Sequence, residues 1–409
     1  MKKILITTSM ERATRILLRT DIFRLLKQDY EIVVASPAEV SEQWKQEFEG
    51  VTFLYDQMYD HEKGLYTDDL KEVLLNLKID AVLSCSNTDT PAMALDVEIQ
   101  KVAKSINIPI IIIQDFIDAI FHPMPIKPDL YLCWGEFFKR MFSRKRDVLK
   151  WNPIGSLYGA DVEEPLDNVK IVGVPHFDIY NKADFQSREE YTKKLGLDVN
   201  KPIFLYLPNG EISQWVYETF ENFMEVAKIY NAQVIIKSHP IRVGDNWIYN
   251  LITKRYNDIK VLTLNDVSIY KGTAFGCRGY DGSIYHMDMV DMYSLGNVLF
   301  NSDIVCSIPS TTALEAMIFN RNVVLETSLW NHPYPIREKV MQWWWNVLSS
   351  YKCCDISKEE GELLDFVDYN MKNPDRNING RALLVQEMFD GVQGDSCLRI
   401  HEAIKEFLG

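Results

Sequence analysis

The sequence lacks a long hydrophobic run, an excess of positive charge, a low-complexity tract and any paired-cysteine motif, and each absence removes a class of protein. Its most apolar stretch, Ile108 to Ile113, contains Pro109 and has the length of a buried strand, far short of the about 20 residues that span a bilayer. Met1-Lys2-Lys3 runs directly into Ile4-Leu5-Ile6, whereas a signal peptide carries about 7 to 15 apolar residues, so neither export nor membrane insertion is expected. Lys and Arg total 44 against 58 Asp and Glu, a formal charge of −14, so no global positive field draws the chain to nucleic acid. The cysteines at 85, 133, 277, 306, 353, 354 and 397 form neither a disulfide framework nor a zinc-type CxxC pattern, which points to a reducing cytoplasm. With 47% hydrophobic and 25% charged residues, and only 19 Gly and 16 Pro, disorder and collagen-like sequence are excluded as well.

What is present reads as two α/β domains. A chain of 409 residues exceeds the roughly 250 to 300 at which one core stops growing. Ile4 to Thr7, then Ile16, Leu17, Phe23, Leu25 and Leu26 at helical spacing, then Tyr30 to Ala35, form a βαβ opening. Short apolar runs continue at Ala81 to Ser84, Ile108 to Ile113, Leu130 to Trp134 and Lys170 to Val174, as in a parallel sheet covered on both faces. A charged helical stretch ends at Gly196, and the alternation restarts from near Asp198 with Ile203 to Leu207, Gln233 to Ile236, Val261 to Leu262, Asp303 to Ser307 and Asn322 to Leu325. The expectation is two Rossmann-like, doubly wound domains facing a cleft, residues 1–182 and 183–390, closed by an amphipathic C-terminal helix within 391–409.

The most informative segment is Ser302 to Leu325. A buried strand ends at Ser307, a hydroxyl-rich turn holds Ser310, Thr311 and Thr312, and a helix follows. Free backbone N–H groups, the helix dipole and the hydroxyls suit a phosphate or diphosphate. Glu315, one turn in, is placed to accept hydrogen bonds from a ribose diol; an ordinary N-cap and a helix-stabilising Glu account for the same pattern.

Asn301-Ser302-Asp303-Ile304-Val305 through Ser310-Thr311-Thr312-Ala313-Leu314-Glu315-Ala316 resembles the nucleotide-binding signature of GT-B fold enzymes, especially the CDP-glycerol glycerophosphotransferase and capsule-type glycosyltransferase group. Four further segments agree in order: Ile235-Ile236-Lys237-Ser238-His239-Pro240 is similar to that group's strand ending in Lys-x-His-Pro, and Val172 to Asp178 to its G-x-P-x-F-D turn. Tyr131 to Phe138 resembles the strand and W-G-E turn of surface-carbohydrate enzymes, and Gly391 to Ile400, with Asp395 and Ser396, their closing helix and its diol-binding start. The resemblance implies a metal-independent, cofactor-free transferase that moves a sugar or alditol phosphate from a nucleotide-activated donor to a glycan or lipid-linked acceptor of a surface polysaccharide. Inversion follows if the acceptor attacks directly. A non-hydrolysing nucleotide-sugar epimerase shares the architecture, and a catalytically silent nucleotide-sugar binder is the reading outside the enzymes.

Lys237 and His239 at a strand end are candidates to steady a departing phosphate, although His239 before Pro240 also suits a residue that only shapes the turn. Where related enzymes show Gln-His-Gly, this chain reads Gln114-Asp115-Phe116; Asp115 is the candidate general base, with a helix cap as its alternative and Asp118 or His176 next in line. Gly272 to Gly282, around Arg278, reads as a ligand-covering loop. Asp281, Asp288 and Asp291 fit no metal motif, and the latter two suit a helix start. Trp343 to Trp345 cannot all face one core. Six basic residues from Lys139 to Lys150, among Phe137, Phe138, Met141, Phe142, Leu149 and Trp151, form a patch suited to anionic lipid, as on the inner face of a membrane, or to a charged polymer, and a solvated helix face accounts for it equally.

Overall fold

Ile4-Leu5-Ile6, Ile32-Val33-Val34 and Ile110–Ile113 are rich in β-branched residues and fully or nearly fully buried, the condition of strands sandwiched between helices in a parallel sheet. The computed structural model describes the chain apart from residues 9–10, 37–44, 47, 55–58, 61–64, 67–69, 86–93, 118, 120–125, 144–165, 209–213, 240–245, 265–267, 271–276, 279–283, 287–288, 309, 328–343 and 360. In chain order the strands are β1 (Lys2–Thr7), β2 (Tyr30–Ala35), β3 (Thr52–Leu54), β4 (Tyr59–Asp60), β5 (Leu65–Tyr66), β6 (Ala81–Cys85), β7 (Ile110–Ile113), β8 (Leu130–Cys133) and β9 (Val169–Ile171). They continue as β10 (Ile203–Leu207), β11 (Gln233–Lys237), β12 (Val261–Leu264), β13 (Ser268–Tyr270), β14 (Cys277–Arg278), β15 (Ile284–His286), β16 (Ile304–Ser307), β17 (Asn322–Glu326) and β18 (Asp355–Ser357).

A 7-stranded sheet has the order β3-β2-β1-β6-β7-β8-β9 and a 6-stranded sheet the order β12-β11-β10-β16-β17-β18, with every neighbouring pair parallel. In both sheets the first strand lies inside and the chain winds outward in both directions, so each is Rossmann-like and doubly wound, as the sequence predicts. The order reverses between β1 and β6 and again between β10 and β16, the two places where such sheets open a crevice. The chain leaves the first sheet after β9 and enters the second at β10. The stretch expected to be a loop at 272–282 instead carries β14, part of an antiparallel β13-β15-β14 sheet.

The C-terminal helix Ser396–Leu408 lies within the expected range 391–409 and returns to the first sheet. Its Cys397, Ile400, Ala403 and Ile404 join Ile4, Ile6, Ile22 and Leu26 in one buried cluster. The preceding helix Ile378–Phe389 packs on the helix Glu136–Phe142. Between the sheets, a continuous apolar core runs from Trp134 and Phe138 through Phe177, Tyr180 and Phe389 to Leu295, Leu205 and Val305.

Candidate functional site

Where β16 ends, at the switch point of the second sheet, Ser307 sits level with Leu207 of β10 and its Oγ donates to the Leu207 carbonyl oxygen at 3.2 Å. Ser307 and Ser310 hydroxyls lie 3.1 Å apart, and Ser310 caps the helix Thr311–Ile318, accepting the Ala313 N–H at 3.4 Å. Thr311 and Thr312 are half-buried in the first turn. The residues from which the sequence predicts a donor-phosphate site therefore lie together at one strand end, at the start of a helix. On the other side of β10, Lys237 ends β11. Lys237 and Ser307 share a register level and a sheet face two strands apart, about 10 Å by strand spacing. Lys237 and Ser238 are buried and His239 is half-buried, at the carboxyl edge where the sequence places leaving-group chemistry.

In the first sheet, Asp115 follows β7 and is 2% exposed. Gln114 shapes that edge: its carbonyl oxygen accepts the Trp134 indole N–H at 2.7 Å, its side-chain oxygen accepts the Trp134 backbone N–H at 3.2 Å, and its amide donates to the Phe116 carbonyl at 3.2 Å. At the reversal between β1 and β6, Thr7 and Ser84 hydroxyls are 2.7 Å apart. The chain after β1 turns through a π-helical segment, Arg15–Arg19, a distortion frequent at functional sites. Arg15 from this turn reaches across to the second half of the molecule, its guanidinium 4.0 Å from the Met292 sulfur.

Three of the expected sites lie in closed surroundings. Glu315 is buried, and Oε2 accepts the Tyr180 hydroxyl at 2.5 Å. Burial pushes its carboxyl up to about 7, against the opposing pulls of the Tyr180 hydrogen bond and the Arg15 charge. At the expected diol site the Ser396 and Cys397 N–H groups both donate to the Asp178 carboxylate at 3.0 Å, while Asp395 pairs with Arg399 at 3.0 Å. The helix start is filled by the protein's own anion. His176, a reserve base, is 3% exposed on the turn Pro175–Phe177, with ring contacts to Trp134 and Phe177. Burial, then the Arg15 charge, holds it well below its ordinary value, so it is a neutral ring packed into the joint and not a base open to substrate. Asp118 lies outside the described residues, and of Arg278 the structure describes only its place on β14.

Other readings resolve locally. Asp291 stands in the first turn of the helix Met289–Asn301, as expected for a helix start, while Asp281 and Asp288 lie outside the described residues. No group of three or more potential metal ligands occurs among the described residues. Trp344 is buried near Phe137, Trp345 is half-buried, and Trp343 lies outside the described residues. Phe138 and Phe142 of the basic aromatic patch point into the core and Arg140 pairs with Glu387 at 2.5 Å, so these aromatics are not available to a membrane; residues 144–151 lie outside the described residues. No described helix is long and apolar enough to cross a membrane. Sequence reading missed Arg15 and Tyr180. The first looks like any polar position of an early helix, and the second meets its partner 135 residues away.

No protein-family model matches the chain, and no curated protein matches it. Solved structures share its fold end to end. The S. aureus MnaA–UDP co-structure has a TM-score of 0.58 at 13% identity, over 100% of this chain and 97% of that one. A glycosyltransferase from Rickettsia africae also gives 0.58, at 12% identity over 100% and 98%. The UDP-GlcNAc 2-epimerase from Neisseria meningitidis bound to UDP-GlcNAc gives 0.57, at 14% over 99% and 100%. The fold is GT-B: two Rossmann-like domains and a closing C-terminal helix.

Proposed function

We infer that this chain is an enzyme of nucleotide-activated sugars, with the diphosphate received at the start of the helix Thr311–Ile318 and the sugar directed across the cleft towards Asp115. The observation that carries the reading is the assembly of Ser307, Ser310, Thr311 and Thr312 at the reversal of the second sheet, with Lys237 on the same edge. The backbone N–H groups of a helix start, the hydroxyls of Ser310, Thr311 and Thr312 and a lysine ammonium are the kinds of donor a diphosphate needs, while Ser307, whose hydroxyl donates to backbone carbonyls, shapes the turn that presents them. Support for a uridine nucleotide comes from full-length neighbours whose structures hold UDP or UDP-GlcNAc.

The reading best supported is isomerisation of the donor, as in the 2-epimerase neighbours. Inverting a sugar carbon requires proton removal and return. Asp115, buried at the cleft edge, is the proposed base, with Lys237 and His239 steadying phosphate charge. Transfer to a surface-polysaccharide acceptor is the second reading, favoured by the glycosyltransferase neighbour of equal similarity and by the Lys-x-His-Pro and W-G-E resemblances. An alditol phosphate as the transferred group belongs to that reading.

NMR of UDP-GlcNAc incubated with the protein separates them. A new sugar isomer still carrying UDP marks the epimerase, UDP release only with a glycan acceptor marks the transferase, and binding without change marks a silent binder. In either enzyme, Asp115→Asn keeps shape but removes proton acceptance, so turnover falls by about 100-fold or more while UDP-GlcNAc still binds. Near-normal turnover in that variant removes Asp115 from the chemistry.

A further inference from the structure

The five-residue helix Asp178–Lys182 lies at the crossing of three larger parts. At its start, Asp178 receives the N–H groups of Ser396 and Cys397 and so ties it to the C-terminal helix. At its end, the Lys182 ammonium stands 3.7 Å from Asp21, the first residue of the helix Asp21–Asp29. In the middle, Tyr180 is clamped among Phe177, Phe185 and Phe319, ring centroids 5.4, 6.5 and 5.0 Å away, and gives its only hydroxyl to Glu315. Glu315 belongs to the helix whose first residues, Thr311 and Thr312, form the phosphate-receiving end. A shift at the crossing is passed to that helix through one short, buried, directional bond. Water cannot substitute for it, because both residues are buried.

We propose that Tyr180 is a positioning residue for the nucleotide-sugar site: by holding Glu315 it fixes the start of the helix Thr311–Ile318 against the inter-sheet joint, and Glu315 serves this clamp and does not bind ribose. The proposal rests on the reading that the donor diphosphate is received at that helix start. It accounts for a carboxyl kept in a place where its charge is poorly solvated and where the Tyr180 hydroxyl and the Arg15 charge favour it. A Glu that reads ribose needs an open carboxylate; a Glu that clamps needs a buried one.

The test is a double-mutant cycle on UDP-GlcNAc affinity, measured by calorimetry on the full chain. Tyr180→Phe removes one oxygen and keeps the ring packing; Glu315→Ala removes the acceptor; Glu315→Gln keeps an acceptor oxygen without charge. The clamp predicts about tenfold weaker binding for both Tyr180→Phe and Glu315→Ala, a double variant no worse than either, and recovery in Glu315→Gln. Ribose recognition predicts the contrary: a large loss in Glu315→Ala, little in Tyr180→Phe, and additive effects in the double variant, which would overturn the proposal. If Glu315→Ala fails to fold, Tyr180→Phe against Glu315→Gln still decides, since wild-type affinity in Tyr180→Phe overturns the clamp by itself. Wild-type protein that binds neither UDP nor UDP-GlcNAc defeats the functional reading and the proposal together, an outcome distinct from intact binding with an additive cycle.

Discussion

Glu315 carries the clearest consequence at the scale of single residues. A carboxyl whose folded value lies above its unfolded one holds its proton more tightly in the folded state. The 4.5 expected of an exposed Glu rises here to about 7, so stability contributed by the neutral form is full below about 4.5 and is lost as pH rises through about 7. The upper bound is about 3 kcal/mol. Glu315→Gln keeps the acceptor for Tyr180 and cannot ionise, so its urea midpoint should exceed that of the wild type at pH 8 and match it near pH 5. Equal midpoints at both pH values would mean that the buried carboxyl is not the titrating group. Gly135 shows a different constraint: a Cβ there would lie 2.4 Å from the Glu387 carbonyl oxygen and 2.7 Å from the Met388 backbone. Gly135→Ala must push the helix Ile378–Phe389 off the helix Glu136–Phe142, and a loss of about 1 to 3 kcal/mol is expected in chemical denaturation.

Among the elements, the C-terminal helix Ser396–Leu408 depends on a carboxylate far away in sequence. Asp178 replaces the missing side-chain cap by accepting two N–H groups at once, in the position the helix dipole favours. Asp178→Ala leaves both donors buried, and a destabilisation of about 2 to 4 kcal/mol is expected, with faster amide exchange in residues 396–400 than elsewhere in that helix. Unchanged exchange there would mean the helix is held by its apolar face alone. The helix Glu136–Phe142 limits the membrane reading, since Phe138 and Phe142 are core residues. If attachment to anionic vesicles rests on charge alone, sedimentation with such vesicles at low salt should disappear at about 0.5 M salt; binding that survives the salt would mean that apolar insertion contributes.

For the whole molecule, the two sheets share one apolar core through the aromatic joint, and the helix Thr311–Ile318, proposed to receive the diphosphate, is part of that core through Leu314 and Met317. Ligand binding at its start should therefore stabilise the entire fold and not one half. UDP or UDP-GlcNAc at about 100 times its Kd should add about 2.7 kcal/mol to unfolding in a single cooperative transition. Two separated transitions, only one of them moved by UDP, would show that the halves unfold independently.

Local pattern alone determined the long buried strands of the two parallel sheets, the two-domain plan and the strand-turn-helix at Ser307 to Ile318, because buried parallel strands and helix starts write their requirements into adjacent residues, whereas the short strands β3, β4, β5 and β13 to β15 were not foreseen. The helix ending at Gly196 is a case in point: its Ser187 and Glu190 capping box and left-handed Gly196 are all local. β18 escaped notice because Asp355-Ile356-Ser357 is too short and polar to stand out. What Glu315, His176, Asp178, Asp395 and Ser396 do was decided by tertiary structure only. Each is a polar group whose role is set by what happens to be buried beside it, and the partners lie 135 residues away for Glu315 and 218 for the Ser396 N–H. A spacing rule reaches one or two helical turns. Charge, hydrogen bonding and desolvation across a domain joint act through space, and only the folded chain states which groups they bring together.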